Sequence, residues 1–290
     1  FLITTALLLA IAALGFGAWA AAAPGAAPSA QIPGEAMTPL TDATCALVDT
    51  TRTCELWALP GTLAMPDGVN LPVWGFAASA AGPALVPGPV IHANVGETLA
   101  VVLHNEIPGE NVSLAFPGQE GLIPDTTGVP AGGTTTYSFA VSGPGTFMYE
   151  AGLTSGGGRQ VAMGLAGPLI LDDGTEPTEV VLVLNEFDPA FNINPVNYSM
   201  NRFRAKYWLI NGQAYPDTGW IDVAAGSTIL MRYLNAGVDD HTLGLLGLDQ
   251  AVIATDGEPL PFPQGAIAPA IAPGQTLEAL VQVPLAAETD

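Results

Sequence analysis

Cations are scarce in this 290-residue chain: Lys+Arg number 6 against Asp+Glu 27, with His 3 and Cys 2, for a formal net charge of -21. A polyanion binder needs a basic surface to displace phosphate counterions, so DNA, RNA and anionic headgroups are excluded as partners. Lys206 is the single lysine and no Gly-rich stretch leads into it, which removes a P-loop. There is no Gly-x-Ser-x-Gly elbow for a serine hydrolase and no CxxC pair for redox or zinc chemistry. Asp172-Asp173 and Asp239-Asp240 lack the alternating spacing of a calcium loop and read as turns. Three histidines and two cysteines cap any transition-metal site.

What is abundant points to strands. Hydrophobic residues make 49% and charged residues 11%, with Gly 34 and Pro 26. That is too apolar for a disordered acidic chain and ample for two ordinary domains. Gly and Pro spread among Val, Thr and Ala predict short strands joined by turns, hence an all-β protein. Low charge with many small polar residues fits an exported surface.

Residues 1–23 carry no charge, and as a helix would span roughly 34 Å, enough for a bilayer core. A signal peptide is the plain reading. Against it, no basic region precedes the apolar run and Phe1 is not an initiator. The expectation is therefore a membrane anchor, or a helix buried in a filament core. Processed pilins are similar in beginning at Phe, but they carry Glu at the fifth position, where this chain has Thr5. Residues 24–44 read as an extended Pro/Ala-rich linker, with prolines at 24, 28, 33 and 39. Cys45 and Cys54 flank a Thr-Arg tip, predicting a hairpin closed by a disulfide.

From Glu55 onward, strand-like runs alternate with turns. Leu99, Val101 and Leu103 share one face, as do Leu277, Ala279, Val281 and Val283. Val180–Leu184 is continuously apolar, as a strand buried on both faces would be. A joint at Asp172-Asp173-Gly174 separates domains predicted at 45–175 and 176–290.

Pro87-Gly88-Pro89-Val90-Ile91, Gly96-Glu97-Thr98-Leu99, Gly145-Thr146-Phe147-Met148-Tyr149 and Met163–Ile170 stand in one order. Ile210-Asn211-Gly212, Arg232–Gly237, Ala254–Gly257 and Pro273-Gly274-Gln275 follow. This series resembles the first two domains of multicopper oxidases, over residues 55 to 284. The resemblance implies two cupredoxin-like Greek-key β-sandwiches, here preceded by one hydrophobic N-terminal α-helix. In that family a further strand carrying a Tyr follows the one matched by Gln275–Pro284. Since the sequence stops at Asp290, the expectation is a continuation or a second sandwich with an open edge, fillable by a strand of another copy.

The resemblance also places copper ligands, and this chain departs from them. The family's Ser-Ile/Leu-His-Trp/Phe-His-Gly appears as Ser113-Leu114-Ala115-Phe116-Pro117-Gly118, and its Tyr-His-Ser-His as Tyr149-Glu150-Ala151-Gly152. All four ligand positions (Ala115, Pro117, Glu150, Gly152) are altered. A trinuclear cluster needs eight histidines and a blue-copper site two His and a Cys. The implication is a scaffold without a metal or other cofactor. Glu150 is expected in a pocket with Phe116, Tyr149 and Met148, held by hydrogen bonds. His92 and His104 read as half-buried strand residues, and His241 as a loop histidine in a solvated turn. Asn197 and Asn111 head glycosylation triplets. Arg202, Arg204 and Lys206 form a cationic cluster suited either to a neighbouring copy's acids or to intramolecular pairing.

The expected function is accordingly non-enzymatic: an exported structural protein at the cell surface, assembling through residues 1–23 as a homo-oligomer or pilin-like filament, or anchored in a membrane complex. The alternatives are a copper-binding oxidoreductase or electron-transfer protein with non-standard ligands, and a ligand-binding module using the vacated pocket.

Overall fold

The structure is a computed structural model describing residues 35–174 and 178–285. The expected N-terminal helix and most of the linker lie outside the described residues. The remainder is all-β, in two sandwiches.

The first sandwich contains β1 (Cys45–Val48), β2 (Thr51–Ala64), β3 (Asn70–Ala77), β4 (Ile91–Asn94), β5 (Thr98–Asn105), β6 (Leu114–Ala115), β7 (Thr134–Ala140), β8 (Gly145–Ala151) and β9 (Ala166–Asp172), with a short helix α1 (Gly157–Ala162) between the last two. One sheet runs β1-β2-β5-β7 with β3 on β2, and the other β4-β9-β8-β6. Leu99, Val101 and Leu103 of β5 are fully buried between them, as their alternation predicts. At about 1.5–3 kcal/mol per buried aliphatic side chain, such rows supply most of the driving force for the fold. The β1–β2 hairpin sets Cys45 opposite Cys54, and the two form the expected disulfide.

The second sandwich contains β10 (Glu179–Phe187), helix α2 (Pro189–Ile193), β11 (Tyr207–Ile210), β12 (Gln213–Ala214), β13 (Thr228–Asn235), β14 (His241–Thr242), β15 (Gln250–Thr255), β16 (Glu258–Ala266), β17 (Ala270–Ile271) and β18 (Thr276–Gln282). Seven of these strands make one sheet, ordered β12-β11-β10-β13-β18-β15-β16, and among the described residues β14 and β17 form a separate two-stranded sheet. β18, which covers most of Gln275–Pro284, lies inside the sheet, paired with β13 and β15. Its second face is buried as well, because Thr276 and Glu278 point at the first sandwich.

Three of the contacts that fasten the sandwiches together bear most on the site. An apolar patch joins Met148 and Ala166 to Val183, Leu234 and Ala236. A second joins Leu71, Val73 and Val86 to Phe187, Tyr207 and Leu209. The third is polar: the guanidinium of Arg232, fully buried, donates to Glu179 Oε2 (2.6 Å), Glu278 Oε1 (2.7 Å) and Thr146 Oγ1 (2.8 Å), and reaches Asp172 Oδ1 at 3.4 Å. Residues 36–43, read as linker, are laid across both sandwiches. Met37 N–H bonds Trp220 O, and Ala43 N–H bonds Val90 O, each at 2.8 Å.

Removing one partner of a buried charge network strands the others. Arg232→Met is expected to lose about 3–5 kcal/mol of stability, read as a lowered midpoint of urea unfolding. An unchanged midpoint would show that the network holds nothing together.

Candidate functional site

The four positions assigned to copper ligands fall around the β6–β8 pair. Ala115 lies directly opposite Glu150 in that ladder. Ala115, Pro117 and Glu150 line one cleft of about 270 Å³, walled by Phe116, Leu122 and Tyr137. Gly152 is not in the cleft lining. Its backbone is pressed against β6, its N–H bonded to Ser113 O at 2.8 Å. A Cβ at this position would strike Ser113 Oγ and come within 3.0 Å of the Leu114 carbonyl, so no side chain fits without movement.

The donors present do not fit a copper centre. A methyl, a pyrrolidine ring and a glycine offer no lone pair, which leaves a single carboxylate where the resemblance calls for imidazoles. That carboxylate has no hydrogen-bond partner among the described residues, contrary to expectation, and burial alone raises its pKa above the usual carboxylate value. Asp125, across the cleft, shows the contrast. It accepts from Gly128 N, Thr127 N and the Tyr137 hydroxyl, and those bonds hold its pKa below the ordinary value in spite of burial. Tyr149 and Met148 do not line the cleft as expected. The Tyr149 hydroxyl turns into the core to donate to Pro89 O at 2.6 Å, and Met148 faces the second sandwich, because neighbours along a strand point to opposite sides.

The histidines are dispersed. His92, on β4, sits 3.6 Å from both Asp42 and Asp172, and its bond to Asp172 raises its pKa. His104, on β5, stacks on Trp57 with centroids 4.5 Å apart. His241 is no solvated loop residue: it lies in β14, four-fifths buried, with Nε2 against the Glu186 carboxylate. Glu186 also accepts from Val238 N–H at 2.7 Å, and Gly237 permits that approach since a Cβ there would overlap the carboxylate. Glu186 was missed from sequence. An acid ending the apolar run Val180–Leu184 was the available signal, as was Arg232 within the apolar stretch of β13. Among the described residues, no group of three or more His, Cys, Asp or Glu side chains converges on one point.

Of the cationic cluster, Lys206 is committed within the chain, to Asp67 at 2.9 Å. Arg202 and Arg204 are exposed and make no ion pair among the described residues. Arg202 lies 5.5 Å from the Tyr198 ring centre, and Arg204 donates to Phe203 O. Asn197 is exposed and bonds Asn194. Asn111 is exposed too, but the hydroxyl of its triplet, on Ser113, is buried and donates to Asp125 O.

A carboxylate whose folded pKa lies above its unfolded value contributes fully below the unfolded pKa and loses that contribution as pH rises through the folded one. Glu150→Gln is therefore expected to melt higher than the parent at neutral pH, with the difference shrinking toward pH 4. Parallel melting curves of the two proteins across this range would refute the assignment.

Residues 84–176 match the family model for multicopper oxidase. Relatives include a multicopper oxidase of Mycobacterium tuberculosis, 25% identical over 60% of this chain and 42% of its own length. They also include a laccase of Cryptococcus neoformans, 33% identical over 69% of this chain and 39% of its own. An iron-transport multicopper oxidase of Epichloe festucae is 30% identical over 59% of this chain and 30% of its own. The chain thus spans between 30% and 42% of these relatives' lengths. Among solved structures, a blue copper oxidase from Nitrosomonas europaea shares the fold at a TM-score of 0.71 and 21% identity, over 80% of this chain and 75% of that one. A copper nitrite reductase from the same organism does so at 0.69 and 22%, over 81% and 85%. Residues 84–176 thus carry a match to a multicopper oxidase domain, and the two sandwiches in this order share the fold of solved multicopper oxidases.

Proposed function

We propose that this chain is an exported, non-enzymatic member of the multicopper oxidase family, in which the two cupredoxin-like sandwiches serve a structural role. One observation carries the reading. Where the relatives' motif has ligands, three positions offer no donor, and Gly152 is packed so tightly that a ligand could not be accommodated. The lone Glu150 is a poor substitute, since burial favours its neutral form and metal ligation needs the anion. Export is supported by the Cys45–Cys54 disulfide, which belongs to an oxidising compartment.

Attachment falls to the uncharged run of residues 1–23, as a membrane anchor or as the buried core of a surface filament. Support for this comes from the sequence, since among the described residues no helix is long and apolar enough to cross a membrane.

Metal analysis of the full chain after incubation with copper tests the central claim. No stoichiometric copper and no oxidation of a phenolic substrate are expected, and near-stoichiometric copper would sink it. Gly152→His is expected to cost about 1–3 kcal/mol by overpacking, measured by urea unfolding. If it were tolerated without loss, the position would be open after all. Negative-stain images of native material separate filaments from membrane particles.

A further inference from the structure

One carboxyl group of the first sandwich has nothing to bond. Glu150, half-buried near the end of β8, lines the cleft of about 270 Å³ and has no hydrogen-bond partner among the described residues. Ala115, directly opposite in the β6–β8 ladder, presents only a methyl group to the cleft. The other two polar side chains on the lining are committed to partners. The Tyr137 hydroxyl donates to Asp125 Oδ2 at 2.8 Å, and Asp125 Oδ1 accepts the N–H groups of Thr127 at 3.0 Å and Gly128 at 2.9 Å. The remaining lining is apolar. Phe116 and Tyr137, buried, stand with ring centroids 6.1 Å apart. Ile123 and Leu153, on the same lining, are 89% and 65% exposed. Apolar surface therefore runs from the buried wall out to solvent.

Size and charge select what this space can hold. An apolar cavity of about 150 Å³ admits benzene, so 270 Å³ takes one ring with a short chain. The lining carries two acids and no Lys, Arg or His, in a protein of net charge -21, so an anionic ligand is repelled. A wholly apolar ligand would cover Glu150 and leave a carboxyl group desolvated without a partner. A metal ion requires several donors around it, and with Asp125 saturated one carboxyl group is free. An ammonium group needs a single acceptor, and it makes the stronger, charge-assisted kind of hydrogen bond with a carboxylate. An apolar body behind that group is matched by the walls.

We propose that this cleft is a binding site for a small organic amine, with the protonated amino group on Glu150 and an aromatic or short aliphatic body against Phe116, Leu122 and Tyr137. The proposal rests on the copper-free reading above, because it uses the same residues. It goes beyond that reading by giving a ligand to a protein otherwise assigned a structural role.

Isothermal titration calorimetry of the full chain, first dialysed against a chelator, tests it with phenethylamine as the probe. Saturable binding at one site is expected. Phenethyl alcohol, which keeps the ring and loses the charge, is expected to bind at least about tenfold more weakly. Ethanolamine, which keeps the charge and loses the ring, is expected to weaken by at least about the same factor. Glu150→Gln should cost phenethylamine at least about tenfold in affinity while the variant still melts cooperatively, which separates lost binding from lost folding. An alcohol that binds as tightly as the amine, or affinity indifferent to Glu150→Gln, would overturn the proposal. Ethanolamine binding as tightly as phenethylamine would overturn it too, since that is only the attraction of any cation to an acidic protein. Copper content after incubation of the same preparation with copper separates two failures. Stoichiometric copper overturns the copper-free reading, whereas a chain that takes up no copper and ignores phenethylamine overturns this proposal alone.

Discussion

The structure turns on one buried cation. Arg232 lies in the middle of β13, flanked by Met231 and Tyr233, and its guanidinium is wholly withdrawn from water. Moving such a charge inside a protein costs several kcal/mol unless its donors are met, and here they are met from both sandwiches. Glu179 and Glu278 come from the strands on either side of β13, while Thr146 and Asp172 come from the first sandwich. Thr146 ties the arrangement further, donating to Glu278 and accepting, through its carbonyl, from Thr276. The register of β8 against β18 is thereby fixed by polar geometry. The apolar patches beside it, around Met148 and around Phe187, add area without specifying an alignment.

On the copper-free function proposed above, contacts such as this junction carry the scaffold in place of metal–ligand bonds. In a metal-dependent fold, ligand bonds hold elements together, and their loss opens the structure. In this chain the elements around the vacated positions are held otherwise. β6 is tied to β8 by the ladder and by the Gly152–Ser113 bond, and the loop before β7 is tied by Asp125 to Thr127, Gly128 and Tyr137. The cleft they enclose is small and walled by apolar side chains. What remains of the site's chemistry is one half-buried carboxylate, Glu150, without a hydrogen-bond partner among the described residues and with its pKa raised by burial.

Much of this fold was legible in the sequence because it rests on local period and local pairing. The alternation in β5, the continuous apolar run of β10 and the nine-residue spacing of the cysteines each report a geometry that involves near neighbours. Motif order carried the two-sandwich architecture. What escaped was contact between residues far apart in the chain. His241 looked solvated because its own neighbours are Asp239, Asp240 and Thr242, whereas its environment is set by Glu186, 55 positions earlier. Tyr149 and Met148 were grouped with Glu150 by proximity in sequence, although along a strand proximity means opposite faces. That β15 and β13 enclose β18 was likewise beyond local reading, since those pairings join segments far apart in the chain.

The distribution of charge follows from the same division. In a chain so poor in cations, four of the six are committed to carboxylate pairs, from the fully buried Arg232 to the exposed Lys206. Glu97 illustrates the effect: its bonds to Arg52 hold its pKa down to about 2, so that pair stabilises the fold at every pH above the ordinary carboxylate range and fails only as pH falls toward that value. Arg202 and Arg204 stand outside this pattern, exposed and without an ion-pair partner among the described residues.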